Sequence, residues 1–185
     1  MDDIELLEGI VAKTGDLIAG VDETNQDGPS PCAEYDAKGM VDHLVGWLQS
    51  FEAASHGRTF DGDAGSYKAG DDPAAEYRAL ADSTVEGWRT NGFDREVTLM
   101  GGPQPASMVF NMTVMEELTH GWDLAKASGQ PVPYTEEEAA AVLARAENTL
   151  PPQFRGEGMP FGEIVEVPAD APAIDRLAGF MGRQP

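Results

Sequence analysis

ASMVFNMTVMEELTHGWDLAKA, residues 106–127, is the longest helical pattern in the chain. Most of its residues are apolar, and its length is that of a helix that packs against other helices. Gly129 follows it and is typical of the position just past the end of a helix. We therefore predict one long, largely buried helix here, around which the rest of the fold is built.

Several other segments carry helical patterns of their own. Residues 3–20 have apolar side chains on one face, and Asp36 precedes a similar stripe from Met40 to Phe51. Residues 73–90 and 135–149 complete the set, the latter opened by a Thr-x-x-Glu capping box. Long helices with little strand predict an all-α four-helix bundle.

The segments between these helices predict loops and short elements. The glycine-containing stretch 56–72 predicts a long crossover loop, which allows parallel neighbours in the bundle. Residues 94–100 predict a short extended piece, and the glycines and prolines of 101–105 are expected to break the chain. A short irregular tail follows residue 150, with a β-like run at 164–167 and a helical piece at 175–181. We expect residues 1–185 to form one domain.

Composition restricts the classes of function. The chain has 33 Asp and Glu residues against 12 Lys and Arg residues, a net charge of -21, which disfavours nucleic acid and anionic membranes as partners. Cys32 is the single cysteine, so no intrachain disulfide can form, and the acidic N-terminus lacks the basic start of a secretory signal. These features predict a cytoplasmic protein without a membrane span. The sequence leaves open whether bundles pair as a homodimer.

A polar stripe on the 106–127 helix predicts a metal site. Glu116 and His120 are four residues apart and share one face, and Thr113 and Asp123 continue the stripe. His43 lies on the apolar, inward stripe of its own helix. His43, Glu116 and His120 would form a two-histidine, one-carboxylate ligand set with an open position, as in reactive sites. Zinc fits this set best, and nickel or iron would also fit.

Other readings of these residues stay open. His43 and Glu116 could be buried and hydrogen-bonded without a metal. Glu117 and His120 form a Glu-x-x-His pair of the di-iron type, which we disfavour because no second such pair occurs.

Residues outside this stripe have simpler expected roles. We expect His56 to be a surface residue and Cys32 a small buried one, because no basic residue adjoins Cys32 in sequence. The tail arginines could meet an anionic substrate, but pairing with surface carboxylates is the expectation for Arg155, Arg176 and Arg183.

Two motifs resemble a known family. PSPCAEYDAKGMVDHLVGW (29–47) and MEELTHGWDLAKASGQ (115–130) are similar to the signatures of the DinB-like superfamily. The closest branch is the actinobacterial one named for the metal-binding domain of mycothiol-dependent maleylpyruvate isomerase, and the tail 161–185 is similar too. The resemblance implies a bundle with one divalent metal held by His43, Glu116 and His120. Tyr35 stands where many relatives have tryptophan.

The resemblance also implies an activity. A low-molecular-weight thiol such as mycothiol would bind at the open metal position as a thiolate and attack a small electrophile, giving thiol transfer or isomerisation. The isomerase itself has a further C-terminal domain that helps to hold the substrate, so we do not expect maleylpyruvate to be the natural substrate here. The alternative is a non-catalytic metal-binding or stress-response protein.

Overall fold

In the computed structural model, residues 1–150, 152–156 and 161–185 are described, and they form helices with one small hairpin. The predicted all-α class is confirmed. The helices are α1 (Asp3–Ala19), α2 (Ala37–Ser55), α3 (Pro73–Asn91), α4 (Ala106–Ser128), α5 (Glu136–Thr149) and α6 (Ala173–Phe180), and the strands are β1 (Glu96–Leu99) and β2 (Gly102–Pro105).

The helix ends follow from local sequence. The side chain of Asp2 caps α1, and that of Asp36 caps α2 by accepting from the Gly39 amide. Thr135 and Glu138 form the predicted capping box at the start of α5. Gly129 adopts a left-handed conformation, φ 69°, and ends α4 as predicted.

The first four helices form a bundle in which α1 and α2 lie on a diagonal. Each of them packs against both α3 and α4. The C-terminal ends of α2 and α3 lie together, since the Asn91 side chain donates to the Ser55 carbonyl at 3.2 Å. These two neighbouring helices therefore run parallel. In contrast, α1 and α3 run antiparallel, since Asp16 near the end of α1 pairs with Arg78 near the start of α3. The predicted crossover role of residues 56–72 is confirmed.

The segment 101–105 differs from the prediction. Rather than only breaking the chain, Gly102–Pro105 forms β2 and pairs antiparallel with β1, with Leu99 opposite Gly102. Met100 and Gly101 make the two-residue turn with φ values of 52° and 76°. Prolines are tolerated because each strand of a two-stranded ribbon has one unpaired edge.

The tail packs against the bundle through α5 and α6. α5 lies on α4, and α6 lies on α5. The β-like run predicted at 164–167 is not a strand: the Val165 amide donates to the Gly179 carbonyl at 2.9 Å, so the run lies along α6, and within the described residues it pairs with no strand. The last helix starts two residues before the predicted 175–181.

The interior between the helices is apolar and aromatic. Trp88 and Trp122 are almost fully buried, as expected for core residues, whereas Trp47 is half-buried. Within the described ranges, none of the helices has the length and apolarity that crossing a bilayer requires.

Candidate metal centre

The structure brings the three predicted ligands together. His43 reaches from α2 toward Glu116 and His120, which are one turn apart on α4. The Nε2 atom of His43 lies 2.7 Å from Oε1 of Glu116, and Nε2 of His120 lies 3.4 Å from the same oxygen. One ligand atom from each residue lies within 4.8 Å of the others. The two imidazoles and the carboxylate therefore converge on one point.

The second ring nitrogen of His120 is held by a buried carboxylate. Its Nδ1 lies 3.0 Å from Oδ2 of Asp123, a residue with no exposed surface. Burial raises the pKa of Asp123, but the hydrogen bond from His120 and the charge of Arg183 outweigh it and hold this pKa below the usual range. An ionised carboxylate only accepts, so Nδ1 carries the proton. The other ring nitrogen of His120, Nε2, then faces Glu116.

Asp123 is fixed in turn by the C-terminal tail. Arg183 donates from Nη2 to Oδ2 of Asp123 at 2.8 Å and from Nε to both carboxylate oxygens at 3.2 and 3.3 Å. Its Nη1 donates to the Met181 carbonyl at 2.7 Å. The expectation that Arg183 pairs with a surface carboxylate is wrong, since both partners are buried. Arg155 instead donates to the Phe180 carbonyl and lies over that ring.

Tyr35 holds the second ring nitrogen of His43. Its hydroxyl lies 3.1 Å from Nδ1, and the two rings are 4.9 Å apart. A hydroxyl both donates and accepts, so Tyr35 matches either tautomer of His43. A tryptophan at position 35, as in many relatives, could not do the same. Its indole N–H only donates, so it could not accept a hydrogen bond from a protonated Nδ1 of His43 when Nε2 of that histidine binds a metal.

The donor set fits a divalent cation. Nε2 of His120 and Oε1 of Glu116 lie 3.4 Å apart, and Nε2 of His43 lies 2.7 Å from the same oxygen, so two imidazole nitrogens and a carboxylate oxygen, the usual zinc ligands, face one another. The 3.4 Å spacing is close to the edge of about 3.4 Å of a tetrahedron with ligand bonds of about 2.1 Å, whereas the 2.7 Å between His43 and Glu116 is that of a direct hydrogen bond. Burial raises the pKa of Glu116, but the charge of His120 and the hydrogen bond from His43 outweigh it and give about 2. Glu116 is therefore ionised.

Cys32 lies close to His120 and Asp123, next to the candidate centre. Cys32, His120 and Asp123 also offer ligand atoms within 4.8 Å of one another. Arg183 already occupies both oxygens of Asp123, so a cation here would have to displace a guanidinium. Burial raises the pKa of the Cys32 thiol, although the charge of Arg183 opposes it. We therefore favour the first ligand set.

Glu117 points away from the candidate centre into the core. It is fully buried and accepts a hydrogen bond from the Tyr77 hydroxyl of α3. Burial raises its pKa to about 8, despite that hydrogen bond. This placement separates Glu117 from the ligand atoms and agrees with disfavouring the di-iron reading. His56 is exposed at the end of α2, as predicted, and bonds to Ser83.

Of the three residues that support the candidate ligands, the sequence indicated one, Asp123, and did not predict the roles of Arg183 and Tyr35. Asp123 was visible as part of the polar stripe, three residues after His120. Arg183 gave no signal, because it lies 60 residues from Asp123 in the chain. Tyr35 was visible only as a departure from relatives, and its contact with His43 depends on how the loop before α2 folds.

The bundle and its converging side chains define a class: helical proteins with a candidate two-histidine, one-glutamate centre between two helices. The profile of the mycothiol maleylpyruvate isomerase N-terminal domain matches residues 7–125. The chain belongs to this family, as the resemblance predicted.

Two curated relatives come from Mycobacterium tuberculosis, strains CDC 1551 and H37Rv, and both are described as uncharacterized proteins. Each is 32% identical over 168 residues, which cover 90% of both chains. No solved structure matches the chain significantly.

Proposed function

We propose that this protein is a divalent-metal- and thiol-dependent transferase or isomerase that acts on a small electrophile. The observation that carries the proposal is the convergence of His43, Glu116 and His120 with both Nδ1 atoms held by other residues. Three protein ligands leave a coordination position free for a small molecule. Family membership supports mycothiol, or a similar low-molecular-weight thiol, as that molecule.

The chain's own residues prepare this site. Asp123 and Tyr35 orient the two imidazoles, which is the usual task of groups hydrogen-bonded to metal ligands. Glu116, with its pKa of about 2, contributes a full negative charge at neutral pH. When bound, a divalent cation such as zinc supplies the positive charge that lowers the pKa of a thiol.

In the proposed reaction, the sulfur of the thiol attacks an electrophilic carbon of the substrate, which must lie within reach of it. In transfer, a sulfur–carbon bond forms and the leaving group departs with its electron pair. In isomerisation, the thiol adds to an activated double bond, the resulting single bond rotates, and elimination returns the thiol. Glu116 is too weak a base to accept the thiol proton, so that proton passes to solvent.

The test combines metal content with thiol chemistry. Protein reconstituted with zinc or cobalt is mixed with a thiol and an electrophilic chloroarene, and His120→Ala is compared with His56→Ala. We expect His120→Ala to lose metal and conjugation, while His56→Ala keeps both, because His56 is an exposed residue bonded to Ser83. Equal rates for wild type and His120→Ala with every thiol would refute the enzyme.

The same experiment separates the alternative function. A bound metal whose cobalt spectrum does not respond to any thiol would favour a non-catalytic metal-binding or stress-response protein. Less than about a tenth of an equivalent of metal after reconstitution would instead favour the hydrogen-bonded reading of His43 and Glu116.

A further inference from the structure

A cleft of about 270 Å³ includes Trp47, which follows the candidate ligand His43 by one helical turn, although none of the three candidate ligands lines the cleft itself. It lies between α2, the crossover loop and the tip of the hairpin. Its volume is just under the roughly 300 Å³ at which ligand pockets usually begin, so its occupant is small. The residues that shape it include Trp47, Ser50, Phe60, Asp63, Leu99 and Met100.

The loop wall of the cleft is anchored on α2. A Cβ atom on Gly46 would lie 2.4 Å from the Ala64 carbonyl oxygen, so the loop backbone packs directly on the helix at this glycine. Asp42 accepts from the Ala69 amide at 2.9 Å and from Lys68 at 3.0 Å. These contacts hold Ala64, Lys68 and Ala69 of the loop against α2. The wall of the cleft is therefore formed before a ligand binds, which reduces the entropic cost of binding.

Trp47 connects the cleft to the metal centre. It follows His43 by one helical turn, and the two rings are 6.3 Å apart. Trp47 is half-buried, whereas Trp88 and Trp122 are enclosed in the core. A molecule in the cleft therefore contacts an indole that also flanks the candidate ligand His43.

The cleft lacks positive charge. Among the described residues that line it, Asp63 is the charged one and none is basic. Two basic residues of the same loop are engaged elsewhere, since Arg58 pairs with Glu52 and Lys68 pairs with Asp42. The net charge of -21 adds to this negative potential.

We propose that this cleft binds a small planar aromatic molecule that carries no anionic group. Trp47 and Phe60 give the cleft an aromatic lining, and aromatic rings attract a neutral or cationic ring substituent more than an anionic one. As the subsite for the non-reacting part of the electrophile, the cleft rests on the proposed function. Binding in it does not require the metal, so the two proposals fail separately.

The test uses three naphthalene probes that differ in one substituent: a methylammonium, a hydroxymethyl and a carboxylate group. Binding to metal-free, ¹⁵N-labelled protein is followed through the three tryptophan indole N–H resonances, with the Trp47 peak assigned by Trp47→Phe. We expect the Trp47 peak to shift and the carboxylate to bind at least about tenfold more weakly than the alcohol, because like charges repel. Equal affinity for the two, or no Trp47 shift with any probe, would overturn the proposal.

A charge substitution at the rim provides the matched control. Met100 is 76% exposed at the hairpin tip, and Met108 is 39% exposed on α4 outside the cleft. Met100→Lys should reduce the ratio of the affinity for the alcohol probe to the affinity for the carboxylate probe. Met108→Lys should leave this ratio unchanged. An equal change in both variants would mean that overall charge, and not this cleft, sets the preference, and would contradict the assignment.

Discussion

Replacing Arg183 by methionine tests whether the tail supports the candidate metal centre. The guanidinium is 9% exposed and binds both oxygens of Asp123, which has no exposed surface. Methionine fills much of the same volume with a flexible apolar chain, so the main change is the loss of charge. Asp123 would keep its contact with His120 but lose its cation.

The magnitude follows from the burial of both partners. Removing one member of a buried ion pair leaves an uncompensated charge and costs about 3–5 kcal/mol. For a chain of this length, 1 kcal/mol corresponds to roughly 2–4 °C, so the melting temperature should fall by about 6–20 °C. Because Asp123 orients His120, metal affinity should also fall by about 10–100-fold.

The pH dependence of the loss identifies its cause. In the wild type the pKa of Asp123 is depressed, so its stabilising contribution is present above the unfolded pKa and is lost as pH falls through the folded value. Without Arg183, mainly the hydrogen bond from His120 opposes the effect of burial, so the pKa of Asp123 should be higher in the variant than in the wild type. The difference in unfolding free energy between wild type and variant should therefore shrink between neutral pH and about pH 4.5.

Urea unfolding of metal-free protein measures the loss in free energy, and competition with a chelating dye measures the metal affinity. Arg78→Met is the control, because Arg78 and Asp16 form an exposed pair that should contribute less than about 1 kcal/mol. An Arg183→Met loss no larger than that of the control, or one that is constant with pH, would refute the reasoning.

Three further predictions concern the core and the surface charge. Burial raises the pKa of Glu117 to about 8, above its unfolded value, so its contribution to stability falls as pH rises from about 4.5 to 8. Glu117→Gln should remove up to about 1.4 kcal/mol per pH unit of that slope in urea titrations, and an unchanged slope would contradict the buried, protonated state. Gly121→Ala would place a Cβ 1.7 Å from the Tyr134 hydroxyl and should cost at least about 1–3 kcal/mol in urea unfolding, whereas Gly102→Ala, with nothing within 4 Å, serves as the near-neutral control. With a net charge of -21, the melting temperature should rise from low to molar salt as repulsion is screened, and a melting temperature indifferent to salt would argue against carboxylate repulsion.

Local features of the sequence predicted most of the fold. The sequence predicted the caps at Asp36 and Thr135 and the terminating Gly129, because each acts on backbone groups within four residues. The β2 strand was missed because 101–105 reads as a break: its pairing depends on the register set by the Met100–Gly101 turn.

The candidate centre was partly readable for the same reason. The helical repeat alone places Glu116 and His120 on one face, so this pair required no knowledge of the tertiary structure. His43 was readable as an inward residue on another helix, but its distance to Glu116, 73 residues away, was not.

The sequence by itself therefore determined the helices, their ends and the polar stripe on α4, because these depend on interactions within a few residues. The tertiary structure decided that α1 and α2 lie on a diagonal, that Arg183 folds back onto Asp123, and that Trp47 lies between the candidate ligand His43 and a cleft. Those outcomes depend on contacts between segments far apart in the chain, and their geometry is set by how whole helices and loops pack, which no local pattern encodes.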